Sequence, residues 1–307
     1  MKQLFFLSIL ITSIIGVQAQ NHVRHNYGKA ENQYYLALKP ESKEIKGAIV
    51  LLPGFGQSPE TIFSESKIPN AAYAHNILTI EIGVGSKLYT DAQVVNNLNQ
   101  AMNHAMETYN LSPAQFVIGG FSAGGTVALR YAEYAYEKKN MTAIRPKGVF
   151  AVDSPVDLFE IWKYFERELE KGFSEAGYGE AQYVSDLMVN EIGAPDKNQT
   201  TYNRLTPFNT RVKEPGNEQY LKDIGVRVYH DIDVAWQLKN RRRSLYDTNA
   251  LPASELINRL MLTGNDKAEF MQAKLPGIRS NGMRHPHSWS IVDEVELILW
   301  VEKLLEE

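Results

Sequence analysis

Residues 116–130, Phe-Val-Ile-Gly-Gly-Phe-Ser-Ala-Gly-Gly-Thr-Val-Ala-Leu-Arg, constrain the fold of this chain more than any other stretch. A short apolar run leads into Ser122, glycines stand two residues to either side of it at Gly120 and Gly124, and a segment patterned like a buried helix follows. A serine so placed falls where a strand turns sharply into a helix. The turn holds a non-glycine residue at an unfavourable backbone angle, which crowds any neighbour with a large side chain. It lifts the Ser122 hydroxyl clear of the sheet, and the N-terminus of the next helix points its free N–H groups toward whatever the hydroxyl meets. A phosphate-binding loop does not fit, because Gly125 occupies the position where that loop needs lysine.

The first nineteen residues stand apart from the fold. Lys2 supplies a positive start, Leu4 to Val17 is almost wholly apolar, and Val17-Gln18-Ala19 offers small residues at the cleavage positions. That pattern is a signal peptide, 1–19, cut before Gln20. The rival, an N-terminal anchor, needs roughly 20 apolar residues to span a bilayer, and the run falls short of that. The expected destination is the periplasm or the outside of the cell, with no stable membrane insertion after cleavage. The chain has no cysteine, which excludes disulfides, thiolate metal sites, a cysteine nucleophile and lipoprotein anchoring. Residues 20–307, within a chain 44% hydrophobic, suffice for one α/β domain with a substantial core, and a net charge of −4 gives no general attraction to nucleic acid. Oligomeric state is left open.

Strand patterns alternate with helical ones. Strands are expected at Tyr34–Leu38, Ile45–Leu52, Ile77–Ile82, Phe116–Phe121, Gly148–Val152, Val226–Tyr229 and Ala268–Gln272. Helices are expected over Pro59–Ala74, Asp91–Tyr109 and Val292–Leu305, besides the one after Ser122. In the second of these, Val94, Val95, Leu98, Ala101, Met102 and Ala105 recur at helical spacing and define one buried stripe. Such alternation implies a mainly parallel sheet covered on both faces, with chemistry at the carboxyl ends of the strands.

Three motifs carry a family resemblance: Leu51-Leu-Pro-Gly-Phe-Gly-Gln after the second strand, Gly120-Phe-Ser-Ala-Gly-Gly at the turn, and His285-Pro-His-Ser-Trp before the last helix. Over nearly the whole of residues 20–307 the chain resembles the α/β-hydrolase superfamily, and its turn is similar to those of secreted esterases, depolymerases and serine peptidases. The resemblance implies a mainly parallel sheet with helices on both faces and a helical cap, and a triad in the order serine, acid, histidine. Ser122 would be the nucleophile and His287 the general base. Asp233 would be the acid that orients it, since Val226-Arg-Val-Tyr-His-Asp-Ile-Asp runs from a strand into a loop where the family places that residue; His230 departs from the glycine usual there. Asp231 is the near alternative. Asp153 is the remote one, read rather as a turn or cap residue before Pro155. The oxyanion hole would use the backbone N–H groups of Ala123 and Phe55. No cofactor is called for: Pro59 stands where a dinucleotide fingerprint needs its third glycine, and His285-x-His287 lacks further ligands at recognisable spacing, so no metal is expected.

Roughly seventy residues separate the strands ending near 152 and starting near 226, far more than an ordinary connection needs. A cap over about 155–222 is expected. Leu158, Trp162, Phe165 and Leu169 form a helical stripe there, and Tyr178, Tyr183, Leu187, Met188, Tyr202 and Phe208 add to it. Trp162 and Trp236 are candidates to line a pocket, and Arg241-Arg-Arg243 either a carboxylate site or a solvated face. The expected partner is a small-molecule or acylated substrate, with ester hydrolysis as the leading activity. A serine peptidase uses the same residues, and a non-catalytic binding protein on the same fold is the alternative of another class.

Overall fold

The computed structural model describes residues 20–307 apart from Lys43 and Lys139, so the expected signal peptide lies outside the described residues. In chain order the strands are β1 (Val23–Asn26), β2 (Tyr34–Leu38), β3 (Gly47–Leu52), β4 (Ile77–Ile82), β5 (Phe116–Phe121), β6 (Gly148–Val152), β7 (Gly225–His230) and β8 (Ala268–Gln272). The helices are α1 (Glu60–Glu65), α2 (Ile68–Ala74), α3 (Ala92–Tyr109), α4 (Ala123–Glu137), α5 (Leu158–Lys171), α6 (Glu175–Ile192), α7 (Gln199–Leu205), α8 (Val234–Arg241), α9 (Ala250–Leu262) and α10 (Glu294–Glu306). The strands form one sheet in the order β1-β2-β4-β3-β5-β6-β7-β8. β1 and β2 pair antiparallel to their neighbours, and all pairs from β4 onward are parallel.

Residues of β3 to β7 are buried on both faces, which is why β3, β5 and β6 are apolar runs rather than alternating patterns. One face packs against α3, α4 and α9 through Leu98, Met102, Val127, Leu129, Leu256 and Leu260. The other packs against α1, α2 and α10 through Ile62, Ile68, Leu297, Ile298 and Val301. The stripe expected on α3 is the buried one; Asp91 caps its start by accepting from the Val94 N–H, and Asn110 ends it in the left-handed conformation. The single helix expected over Pro59–Ala74 is two. The chain breaks at Ser66, whose backbone is extended, and α2 restarts with proline in its first turn. β1 lay below the sequence signal, being four mostly exposed residues, Val-Arg-His-Asn.

Between β6 and β7 the chain builds α5, α6 and α7 around a small core of their own. Leu158, Phe159, Phe165, Val184, Met188 and Tyr202 pack together and onto Ala123 at the start of α4. Of the expected aromatic content, Tyr178 and Tyr183 are exposed, and Phe208 joins the main core.

Candidate active site

Ser122 sits between β5 and α4 at φ 54°, ψ −125°. Its N–H donates to the Val152 carbonyl at 2.9 Å, which fastens the turn to β6. The flanking glycines are required sterically. A Cβ on Gly124 would fall 2.3 Å from the carbonyl oxygens of Leu52 and Pro53, and one on Gly120 would fall 2.3 Å from the Gly124 carbonyl carbon. These obstacles are backbone atoms and cannot rotate away. Gly125 is as confined, with Ser154 Oγ 2.0 Å from the same point.

Directly after the neighbouring strand β6 comes Asp153, a second non-glycine residue of the site with positive φ, 41°. Its N–H donates to the Tyr229 carbonyl at 2.9 Å. Its two carboxylate oxygens are divided between two imidazoles: His287 Nδ1 lies 2.7 Å from Oδ2, and His230 Nδ1 3.1 Å from Oδ1. An ionised carboxylate only accepts, so each Nδ1 is the donor, and in the neutral form of the His287 ring the lone pair then falls on Nε2. Asn249 Nδ2 adds a hydrogen bond to the Asp153 backbone carbonyl at 2.9 Å. Burial alone would raise the Asp153 carboxyl, but the two histidines outweigh it and hold it well below the usual carboxylate range. His287 comes from the loop before α10; its ring lies 4.4 Å from that of Phe121, the residue preceding the serine. Ser122 Oγ makes no hydrogen bond among the described residues, and it opens with Asp153 and His287 onto one cavity.

The expectation that Asp233 would meet His287 is therefore corrected. Asp233 begins α8, where its carboxylate accepts from the Trp236 N–H at 2.9 Å and from Arg284 Nη2 at 2.9 Å. Asp231 is engaged too, by the Gly277 N–H at 2.8 Å and Arg284 Nη1 at 2.9 Å. Backbone N–H groups and Arg284 together engage both carboxylates, whereas Asp153 projects from a strand end beside the serine. His285 is separated from the acid. Its Nδ1 lies 3.1 Å from the His287 backbone nitrogen and its Nε2 2.9 Å from Arg241 Nη2, and the single lone pair of a neutral ring accepts one of these two donors. Burial first, then the neighbouring His287, Arg279 and Arg241, push its pKa down to about 3, so it is neutral at ordinary pH.

The N–H groups of Phe55 and Ala123 have no acceptor among the described residues. Phe55 lies in the turn after β3, where Gly56 takes φ 68°, and its ring meets Tyr183 of α6 edge-on at 6.2 Å between centroids. The cavity, about 700 Å³, is floored by Ser122 and His287 and roofed by Ile161, Tyr164 and Phe165 of α5 with Val184 of α6. Trp162 and Trp236 do not line it, contrary to expectation. Trp162 turns along α5 to donate to Glu166 at 2.8 Å, and Trp236 packs behind His285 with ring centroids 5.1 Å apart. Sequence reasoning gave no role to His230 or Asn249. The only available signal was that a buried histidine replaced an expected glycine at the end of β7. No group of His, Asp and Glu among the described residues has an arrangement suited to a metal ion, and no described helix is long and apolar enough to cross a membrane.

No protein-family model matches the chain, and no curated protein does. Solved structures do match. An inhibited esterase B from Lactobacillus rhamnosis superposes at TM-score 0.56 with 11% identity, covering 92% of this chain and 85% of that one. A hormone-sensitive lipase from a metagenome library gives 0.54 with 15% identity over 94% and 84%. An S-formylglutathione hydrolase from Staphylococcus aureus gives 0.54 with 10% identity over 93% and 100%. The chain has the α/β-hydrolase fold. As an α/β-hydrolase fold it departs from the pattern expected at the sequence level in one respect: the acid facing the histidine stands at the end of β6 rather than after β7.

Proposed function

We propose that this protein is a serine hydrolase acting on carboxylic esters. The observation that carries the reading is the 2.7 Å contact of His287 Nδ1 with Asp153 Oδ2, at the wall of a cavity that Ser122 shares. Asp153 fixes the imidazole so that Nε2 can take the Ser122 proton as Oγ attacks the ester carbonyl carbon. The serine-to-histidine hydrogen bond, open in the resting geometry, closes for this step. Negative charge forming on the carbonyl oxygen is received by the Ala123 and Phe55 N–H groups, donors of a kind worth about 3–4 kcal/mol each. Collapse breaks the ester C–O bond, and the imidazolium returns its proton to the departing alcohol. Water then repeats the sequence on the acyl-serine, releasing the acid and restoring the hydroxyl. The segment α5–α7 acts as the cap that excludes bulk water from these charges.

Labelling by a fluorophosphonate probe tests the assignment. Wild type should be labelled, Ser122→Ala not at all, and His287→Ala only slowly. Labelling that survives Ser122→Ala sinks the nucleophile, and unlabelled, folded wild type sinks the hydrolase reading. Turnover of an aryl ester well above that of an aminoacyl anilide is expected, and the reverse order would make the protein a peptidase.

A further inference from the structure

Of the three arginines lining the cavity, two are matched by acids: Arg243 Nη2 lies 2.8 Å from Glu168, and Arg279 Nη1 3.5 Å from Glu65. Arg241 has no ion-pair partner among the described residues, although carboxylates are plentiful on the same wall. Those carboxylates are occupied. Asp231 and Asp233 hold Arg284, Asp247 holds Arg167 and Lys171, Glu160 holds Lys163, Glu255 holds Arg259, and Asp157 accepts from Thr210 and the start of α5. Glu180, exposed on α6, bears on Arg243 rather than on Arg241.

Arg241 is also held in place. Arg242 takes the left-handed conformation that ends α8 and satisfies the Leu238 carbonyl at 3.0 Å, so Arg241 is not needed as the helix cap. Its guanidinium rests over the Trp236 ring at 5.8 Å, and Trp236 packs edge-on against His285. Its polar contact with protein is one nitrogen, Nη2, on His285 Nε2 at 2.9 Å. A guanidinium offers five donors in a planar fork suited to a carboxylate. Here most of that fork is unspent, on a cavity wall beside His285, which stands two residues before His287 in sequence. A fixed cation without a counter-ion, in a recess of about 700 Å³ whose acids are already engaged, selects for an anion.

We propose that Arg241 recognises a carboxylate on the substrate, so that the preferred ester carries a negative charge in addition to its scissile group. This rests on the hydrolase reading above. Trp236, expected to line the pocket, acts instead as the platform that holds the guanidinium.

Two measurements separate the two readings. The first compares kcat/KM for aryl esters of glutaric acid with a free distal carboxylate against their methyl-capped neutral counterparts, with a second pair carrying the carboxylate in the alcohol half. Wild type should prefer the charged member of at least one pair. Arg241→Ala should lose about 10- to 100-fold of that preference, mainly in KM, with neutral esters unaffected and Arg241→Lys partly restoring it. The second is calorimetric titration of glutarate into wild type and Arg241→Ala, which needs no turnover and should show binding only to wild type. A preference and a glutarate affinity that both survive Arg241→Ala overturn the inference while leaving the hydrolase standing. Glutarate binding lost in Arg241→Ala, with neither ester turned over, upholds the anion site and overturns the hydrolase. A wild type that turns over neutral esters and binds no glutarate also overturns the inference.

Discussion

The serine turn and the roof above it are held by opposite means. Around Ser122 the structure is steric: four consecutive features, β5, the glycines, the Ser122–Val152 hydrogen bond and the buried first turns of α4, leave no room for a Cβ at positions 120, 124 or 125. The roof has a small apolar core of its own, and ion pairs tie it to the elements beside it. Asp247 ties Arg167 and Lys171 of α5 to the loop before α9, and Glu168 ties α5 to Arg243 after α8. Packing of the first kind has one solution and tolerates almost no change, whereas ion pairs can be exchanged one at a time at modest cost. On the proposed reading, the reacting serine thus stands on the rigid side, below a roof whose ties are adjustable.

The contrast breaks first at the acid. Asp153→Asn should lower kcat by about 10⁴-fold with the fold intact, since a wrongly oriented imidazole cannot serve as base. Asp233→Asn should stay within a few-fold of wild type, because its carboxylate serves the start of α8 and Arg284; the reverse ranking in steady-state kinetics would return the acid to β7. On the steric side, Gly124→Ala should cost about 3 kcal/mol or more, as overpacking against immobile backbone, seen as a large drop in the denaturant midpoint. On the electrostatic side, Asp247→Asn should cost about 1–2 kcal/mol, and that cost should depend on pH. Burial would raise this carboxyl, but Lys171 and Arg167 hold it down to about 2. A depressed folded-state pKa contributes stability that is complete above the unfolded value, about 3.9, and fades as pH falls toward 2. The stability gap between wild type and Asp247→Asn should therefore be constant near neutrality and close in acid. A gap that widened there would contradict the ion-pair account.

Much of the steric half was legible in the sequence. The strands β4, β5 and β6 coincide with their largely apolar runs, because a strand buried on both faces must be mostly apolar. The glycine spacing around Ser122 was legible for a similar reason, as only one residue type fits there. The acid was legible only as the last of three candidates. Asp153 precedes Ser154-Pro155 as a turn residue would, and its partners are 77 and 134 positions away. Neither Trp162 nor Trp236 lines the cavity, because spacing along the chain gives a face and not what the face meets: Trp162 packs against the core of α5–α7 and Trp236 against His285. His230 marked the site by its oddity alone, an imidazole at the end of a core strand.

Ser122 and Asp153 each follow strands whose last residues, Phe121 and Val152, are paired in register. The spacing between them is set by the interstrand distance of the sheet, about 4.8 Å, and cannot drift without unzipping β5 from β6. His287 alone of the three is carried on a loop, anchored by its contact with the acid and by the Ser288 and Ser290 hydroxyls that donate to the Ile278 carbonyl. The constellation thus has two members timed by the backbone ladder and one that can come loose by itself. Its weakest joint under heat or denaturant is the histidine loop, which can silence the protein while the sheet beneath remains folded.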